Sequence, residues 1–472
     1  MTTALAVMLA TAKFATIFGD GMVLQRDKPV PVWGTADAGE KVTVRFAGQE
    51  KTTVARADGR WGVKLDAMPF SAEGRELSAN EAKIADVVVG EVWLCSGQSN
   101  MNLALFGGAK VSRHAEQALD AGYAEAMLAN APPIRGCRVP DAWAAKEQID
   151  YEQPVEWFRF ESGKPLFFSA LAYHFAQLMH QALGGVPIGV INCSWGGASI
   201  LGFVPAEGYA AVPSLAAYAT STITNLASRA HGQPRSIWNA KICPMVPMAV
   251  KGMVWYQGES DIGLREQYGE YLEALWRGWA KRFRCEDLPI FVVQLTPHDY
   301  DFDPDGPYVR RMEILNAQAN FTKDKPCADY VPTADLGDAR SVHPNHKRVI
   351  AARLAAKVMK RLYGRSDLRV MPPQIIEAKA EGGVVTAKFS HVSRWQLYGE
   401  PAIVPFELVG ADGKPQLVAT NDIEYVDGGV IRLKVRGMDA PKTLQYCWSW
   451  RYHGKLLNEY GNPMTPFKTE IR

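Results

Sequence analysis

Residues Val87–Met101, VVVGEVWLCSGQSNM, decide the reading of this chain. An apolar run of this kind reads as a buried strand. It stops on a cluster of small polar residues: Ser96, Gly97, Gln98, Ser99 and Asn100. A plain loop accounts for that cluster, and so does a serine nucleophile held at the end of a strand. The remainder of the chain has to decide between them.

Four more segments share the apolar character of the first: Ile188–Ser194, Val250–Tyr256, Ile290–Leu295 and Tyr330–Asp335. Between and after them lie helical patterns at Ser169–Leu183, Gln267–Phe283 and Asn345–Leu362. In the second, Tyr268, Leu272, Leu275, Trp279 and Phe283 recur at helical spacing; in the third, Val349, Ile350, Leu354, Val358 and Leu362 do so before the stop at Gly364. Strand–helix alternation with continuously apolar strands predicts an α/β fold, a parallel sheet covered on both faces. Active sites in such sheets lie beyond the carboxyl ends of the strands.

On either side the period changes to two. KVTVRF (Lys41–Phe46) and WGVKL (Trp61–Leu65) alternate apolar and polar residues around the turn ADGR (Ala57–Arg60), and VVTAKF (Val384–Phe389) and VIRLKV (Val430–Val435) do the same. The expected organisation is an N-terminal β domain over 13–86, a catalytic domain over 87–370 and a C-terminal β domain over 371–472.

The segments at the ends of the central strands are chemically coherent: GQSN after the first, WGGAS after the second, QGESD after the third, LGDARSVHPNHK after the last. Acyl transfer needs a nucleophile, a base and donors for a developing oxyanion. Ser99 supplies a hydroxyl in a strand-to-helix turn, and His343 an imidazole just before Pro344, a residue favoured at the first helical position. Gly196 and Gly197 leave backbone N–H groups uncovered, and the Gln257 amide is a further donor. Singly, each has a bland reading as a helix cap, a turn or a surface group. Four complementary functions at four strand ends favour a site.

These segments closely resemble the sialate O-acetylesterase family, a branch of the SGNH hydrolases. The resemblance rests on MVLQRDKPVPVWGTA (Met22–Ala36), GEVWLCSGQSNM (Gly90–Met101), VPIGVINCSWGGAS (Val186–Ser199), VKGMVWYQGESD (Val250–Asp261) and DLGDARSVHPNHK (Asp335–Lys347), and extends through PMTPFKT (Pro463–Thr469). It implies a three-layer α/β/α (flavodoxin-like) hydrolase domain with flanking β-sandwich-like domains. It further implies a serine esterase that removes acetyl groups from sugar hydroxyls with no metal or organic cofactor. Ser99 is then the nucleophile and His343 the base, and the Ser99 N–H, a glycine N–H from Gly196 or Gly197 and the Gln257 amide form the oxyanion hole. Many SGNH enzymes carry an aspartate three residues before the histidine, where this chain has Arg340. Asp338 is the acid expected to orient the imidazole. Asp335 and a Ser–His dyad are the alternatives. Gly196-Gly197-Ala198 replaces the family's Gly-Gly-Thr. Other readings of the substrate are acetylated xylan or another hemicellulose, and lipid or aryl esters. A non-catalytic glycan-binding protein is the alternative of another class.

Composition sets outer limits. A formal net charge of +2 on 472 residues gives no sign of a nucleic-acid or membrane-surface partner. No run reaches the ~20 apolar residues of a membrane span. Seven widely spaced cysteines without a C-x-x-C suggest neither a zinc site nor a disulfide framework. Ala4–Ala12 has an apolar stretch and an Ala-Thr-Ala sequence, but no basic residue precedes it. Export to the periplasm or medium is therefore weighed against a cytoplasmic location. DFDPDG (Asp301–Gly306) matches the first half of a calcium loop. The closing position holds Met312, with Glu313 one residue late, so an acidic surface loop is expected instead.

Overall fold

The computed structural model describes residues 12–105, 133–160, 167–221, 223, 230–298, 307–337, 341–397, 404–448 and 454–472, without the side chains of 307–311. The strands of the central sheet are β1 (Ala82–Gly97), β2 (Ile134–Arg138), β3 (Trp157–Arg159), β4 (Ile188–Asn192), β5 (Gly252–Tyr256), β6 (Ile290–Val293) and β7 (Ala328–Val331). They lie in the order β3-β2-β4-β1-β5-β6-β7. All neighbours are parallel except β3, which runs antiparallel to β2 at the edge. The strand order turns back at β1, between β4 and β5. In open α/β sheets a crevice for ligands opens at such a reversal.

The long helices are α1 (Ala170–Ala182), α2 (Tyr268–Arg282), α3 (Pro307–Lys323) and α4 (Lys347–Leu362). β4, β5 and β6 are buried along their whole length. Their alternate side chains enter two separate cores. Val190, Val254 and Phe291 pack with Phe175 of α1 and Leu354 of α4, whereas Ile191, Trp255 and Val292 pack with Leu272 and Leu275 of α2. A strand buried on both faces has no polar side to display, which is why these segments read as unbroken apolar runs. Each large side chain so buried contributes about 1.5–3 kcal/mol.

β1 spans sixteen residues and belongs to two structures. Its second half lies in the centre of the sheet. Its first half pairs antiparallel with Ser71–Ala79 and parallel with Val23–Gln25. The position after residue 86, where the repeat pattern changes, is therefore inside one continuous strand. A three-stranded sheet containing Val30–Thr35 and Arg60–Leu65 packs beside this one, its Val32 and Trp61 sharing a core with Val44 and Leu94. At the other end, residues 374–470 form two four-stranded antiparallel sheets and a two-stranded ribbon around Val385, Phe406, Leu433 and Tyr446. That unit is fastened to the central one by the Gly454 N–H on the Ala334 carbonyl (2.9 Å) and Asn462 Nδ2 on the Arg369 carbonyl (2.8 Å).

Several boundaries differ from expectation. β7 is Ala328–Val331 rather than Tyr330–Asp335, because Pro332 has no N–H to continue the ladder. α4 begins at Lys347, so Pro344 is not its first residue, and His343 lies in the loop ahead of the helix. Strands β2 and β3 and helix α3 were not expected. The segment DFDPDG lies outside the described residues, as do residues 1–11. Among the described residues no helix is long and apolar enough to cross a membrane.

Candidate active site

The site is assembled where the ends of β1, β4 and β5 meet. Gly97 closes β1 at φ +138°, and a Cβ placed on it would fall 2.1 Å from the Tyr256 carbonyl oxygen. Only glycine permits that approach. It brings the strand ends into direct contact: the Gln98 N–H donates to the Tyr256 carbonyl (3.1 Å) and the Trp195 N–H to the Gly97 carbonyl (3.0 Å).

Ser99 is the first residue of a one-turn helix, Ser99–Asn102. Its hydroxyl oxygen lies 2.8 Å from Nε2 of His343 across 244 positions of sequence. Ser96, the other serine of the cluster, is completely buried and its hydroxyl is turned to the Cys193 carbonyl. The thiols on either side are no rivals. Burial raises the Cys193 thiol to about 11 and Cys95 further still, so neither supplies a thiolate near neutrality.

Asn100 ties this turn to three other segments. Its Nδ2 donates to Glu259 Oε1 (2.5 Å) and to the carbonyl of Val342 (3.0 Å), and its Oδ1 accepts from Lys347 Nζ (2.7 Å). Lys347 is completely buried, with its ammonium 5.0 Å from the centre of the Tyr256 ring. The residue after the serine thus grips the residue before the histidine. Ser341 braces the same loop, its hydroxyl accepting the His343 N–H at 3.1 Å. On the other side Ser169, the N-cap of α1, donates to the Met101 carbonyl at 2.6 Å.

The glycines after β4 border the serine. A Cβ on Gly196 would come 3.9 Å from Ser99 Cβ, and both Gly196 and Gly197 are exposed. Gly197 has φ +74°.

Gln257 differs from expectation. Its side chain is wholly buried, and Nε2 faces three acceptors: Gln98 Oε1 (3.1 Å), the Ala198 carbonyl (3.0 Å) and Asp261 Oδ2 (2.6 Å). Its Oε1 accepts from the Tyr268 hydroxyl at 2.7 Å. Both amide hydrogens are committed inside the protein, so in this arrangement the residue locks the strand ends together instead of offering a donor outward. Asp261 completes the lock by also accepting the Ile200 N–H at 2.8 Å. Burial pushes its carboxyl above the ordinary carboxylate value, although these hydrogen bonds pull it down.

Of the two acids considered as partners of His343, Asp335 is engaged elsewhere. It forms a two-pronged ion pair with Arg353, at 2.7 and 2.6 Å, with little exposure on either side. Asp338 and Arg340 lie outside the described residues. Asn100, Glu259, Lys347 and Asp261 were not expected at the site, nor were Trp195 and His231, whose rings stack 5.4 Å apart beside the glycines. Asn100 and Glu259 stand inside the GQSN and QGES segments, but nothing local indicates that they meet.

Among the described residues no cluster of three His, Cys, Asp or Glu side chains is placed to hold a metal.

A parallel α/β sheet with a serine and a histidine joined beyond its strand ends is the framework of a hydrolase, and the chain is a carboxylic ester hydrolase. It belongs to the family described as "Carbohydrate esterase, sialic acid-specific acetylesterase", whose sequence profile matches residues 89–360. Sialate O-acetylesterase of Homo sapiens is 27% identical over 409 residues, covering 80% of this chain and 76% of that protein. The Mus musculus sialate O-acetylesterase is 25% identical over 459 residues, covering 82% and 80%. The crystal structure of a carbohydrate acetylesterase from Xanthomonas citri superposes with a TM-score of 0.83 at 27% identity, covering 98% of this chain and 99% of that one. Together these relationships make the activity that of a carbohydrate acetylesterase.

Proposed function

We propose that the enzyme removes O-acetyl groups from sialate-type sugars, with Ser99 as nucleophile and His343 as general base and acid. The observation that carries this reading is the 2.8 Å contact between Ser99 Oγ and His343 Nε2 at the reversal point of the sheet. With the imidazole neutral and its proton on Nδ1, Nε2 accepts the serine proton. Oγ then attacks the acetyl carbonyl carbon. The oxyanion so formed is held by the N–H of Ser99 and that of Gly196 or Gly197; losing one such donor costs on the order of 10²–10³ in rate. The carbonyl re-forms, the bond to the sugar oxygen breaks, and His343 returns the proton to that oxygen as the sugar leaves. Water, deprotonated by His343, hydrolyses the acetyl-serine to acetate.

In this reading Asp338 holds the Nδ1 proton of His343, and Gln257 acts from behind as the brace of the oxyanion loop. The fold is the three-layer α/β/α SGNH arrangement over 87–370, with β-sandwich-like domains over 13–86 and 371–472. A periplasmic or extracellular location belongs to the same proposal, and no nucleic acid or membrane takes part.

Acetate release from 9-O-acetylated sialic acid, acetylated xylan and acetylated glucomannan tests the substrate. Selective release from the first supports the sialate reading. Release from xylan or glucomannan alone replaces it with a polysaccharide acetylesterase.

A further inference from the structure

The exposed glycines after β4 are overlooked by two rings. Trp195 precedes Gly196 directly, and His231 comes from a distant 3₁₀ turn, Ala230–Gly232. The rings stack with 26° between their planes. A Cβ placed on Gly197 would lie 3.7 Å from His231 Nε2, and one on Gly196 lies 3.9 Å from Ser99 Cβ. The sequence of neighbours is therefore nucleophile, glycine pair, imidazole.

Among the described residues, neither the indole N–H of Trp195 nor either ring nitrogen of His231 has a hydrogen-bond partner, and none of the three is sealed from solvent. Two other indoles do have partners: Trp255 Nε1 bonds the Tyr268 hydroxyl and Trp279 Nε1 the Phe203 carbonyl. A Cβ on Gly197 would stand in ordinary van der Waals contact with the imidazole, so the glycine lies directly against the wall.

Resting on the reading of Ser99 as nucleophile, we propose that the Trp195–His231 stack is the subsite for the sugar that carries the acetyl group, with His231 Nε2 hydrogen-bonded to a ring hydroxyl. A pyranose is suited to such a wall. Its C–H edges pack on an aromatic face, while its hydroxyls reach donors and acceptors at the rim. In the proposed arrangement the wall contacts the sugar of the ester and not its acetyl group. It therefore selects sugar esters over esters of other alcohols.

The test compares kcat/KM for 9-O-acetyl-N-acetylneuraminic acid and acetylated xylobiose with that for p-nitrophenyl acetate, in wild type, His231→Phe and Trp195→Ala. His231→Phe keeps the stack and removes the nitrogens. The sugar-to-aryl ratio should fall about 5- to 10-fold in His231→Phe, the weight of one hydrogen bond, with the loss in KM. It should fall further in Trp195→Ala. Equal losses on sugar and aryl esters in both variants would make the pair a structural support and overturn the proposal, as would an unchanged ratio. Ser99→Ala separates the underlying reading: if it still cleaves p-nitrophenyl acetate, the nucleophile is wrong and the subsite falls with it.

Discussion

Nδ2 of Asn100 donates to the main-chain carbonyl of Val342 at 3.0 Å, which links the residue after Ser99 to the residue before His343. A neighbouring side chain thereby ties the serine turn to the histidine loop, its hydrogen bonds among the described residues going to Glu259, Val342 and Lys347. The same amide carries Glu259 on its nitrogen and Lys347 on its oxygen. Asn100→Ala should release the histidine loop and remove a partner from a fully buried ammonium. The expected result is a fall in kcat of about 10²-fold, the size of a displacement near 1 Å, with KM little changed. Steady-state kinetics on p-nitrophenyl acetate check it; kcat within twofold of wild type would remove Asn100 from the positioning of the site.

Asp335 and Asp338 should separate cleanly. Asp335 is bound to Arg353 in a nearly buried pair. Removing one partner of such a pair costs about 3–5 kcal/mol. Asp335→Ala should lower the urea midpoint accordingly, while the protein that remains folded keeps its pH–rate profile. Asp338→Asn should do the reverse, lowering kcat with little loss of stability. A pH–rate profile altered by Asp335→Ala instead would make that residue the partner of His343.

Gly97 stands where no side chain fits. Gly97→Ala combines a φ of +138° with a Cβ 2.1 Å from the Tyr256 carbonyl. The backbone conformation alone costs about 1–3 kcal/mol, and the collision adds to it by pushing β1 and β5 apart. Equilibrium unfolding in urea should show a loss above that range together with loss of esterase activity. A variant of unchanged stability would contradict the described junction.

Asp261 predicts a pH dependence of stability. Burial raises its folded-state pKa above the ordinary 3.8, and the nearby charge of Glu259 acts in the same direction. The folded chain therefore binds the proton more tightly than the unfolded one. Its contribution to stability is complete below the unfolded value and is lost as pH rises through the raised one. Asp261→Asn keeps an acceptor for the Ile200 N–H and the Gln257 amide but does not titrate. Its unfolding free energy should fall less than that of wild type as pH rises above the ordinary value of 3.8. Parallel curves for the two proteins would show that Asp261 is not the group responsible.

The central strands were legible in the sequence because burial on both faces leaves an unbroken apolar run, as at Ile188–Asn192 and Gly252–Tyr256. α1 was legible because Ser169 caps it and α2 because its apolar stripe is wide. β2 was not, since IRGCR carries two arginines, one of them buried; Arg135 finds its partner in Asp86, and Arg138 is exposed at the strand's end. α3 was missed because its apolar residues, among them Met312, Ile314, Leu315 and Phe321, make no regular stripe. The pairing of Ser99 with His343 was readable as a candidate from the segments that follow their strands. Gln257 was readable as important but not in its role, because the direction of an amide depends on acceptors such as the Ala198 carbonyl, 59 positions away. Asn100, Glu259 and Lys347 were hidden for the same reason: their hydrogen bonds join residues 159 and 247 positions apart.

Covalent trapping bears on the nucleophile without any assumption about the sugar. Wild type treated with a fluorophosphonate and digested should carry the phosphonyl group on Ser99, and mass spectrometry of the peptide locates it. Ser99→Ala should take up no label, and His343→Ala should label far more slowly because its serine has lost the base. A label on another residue, or labelling of Ser99→Ala at the wild-type rate, would contradict the assignment of Ser99.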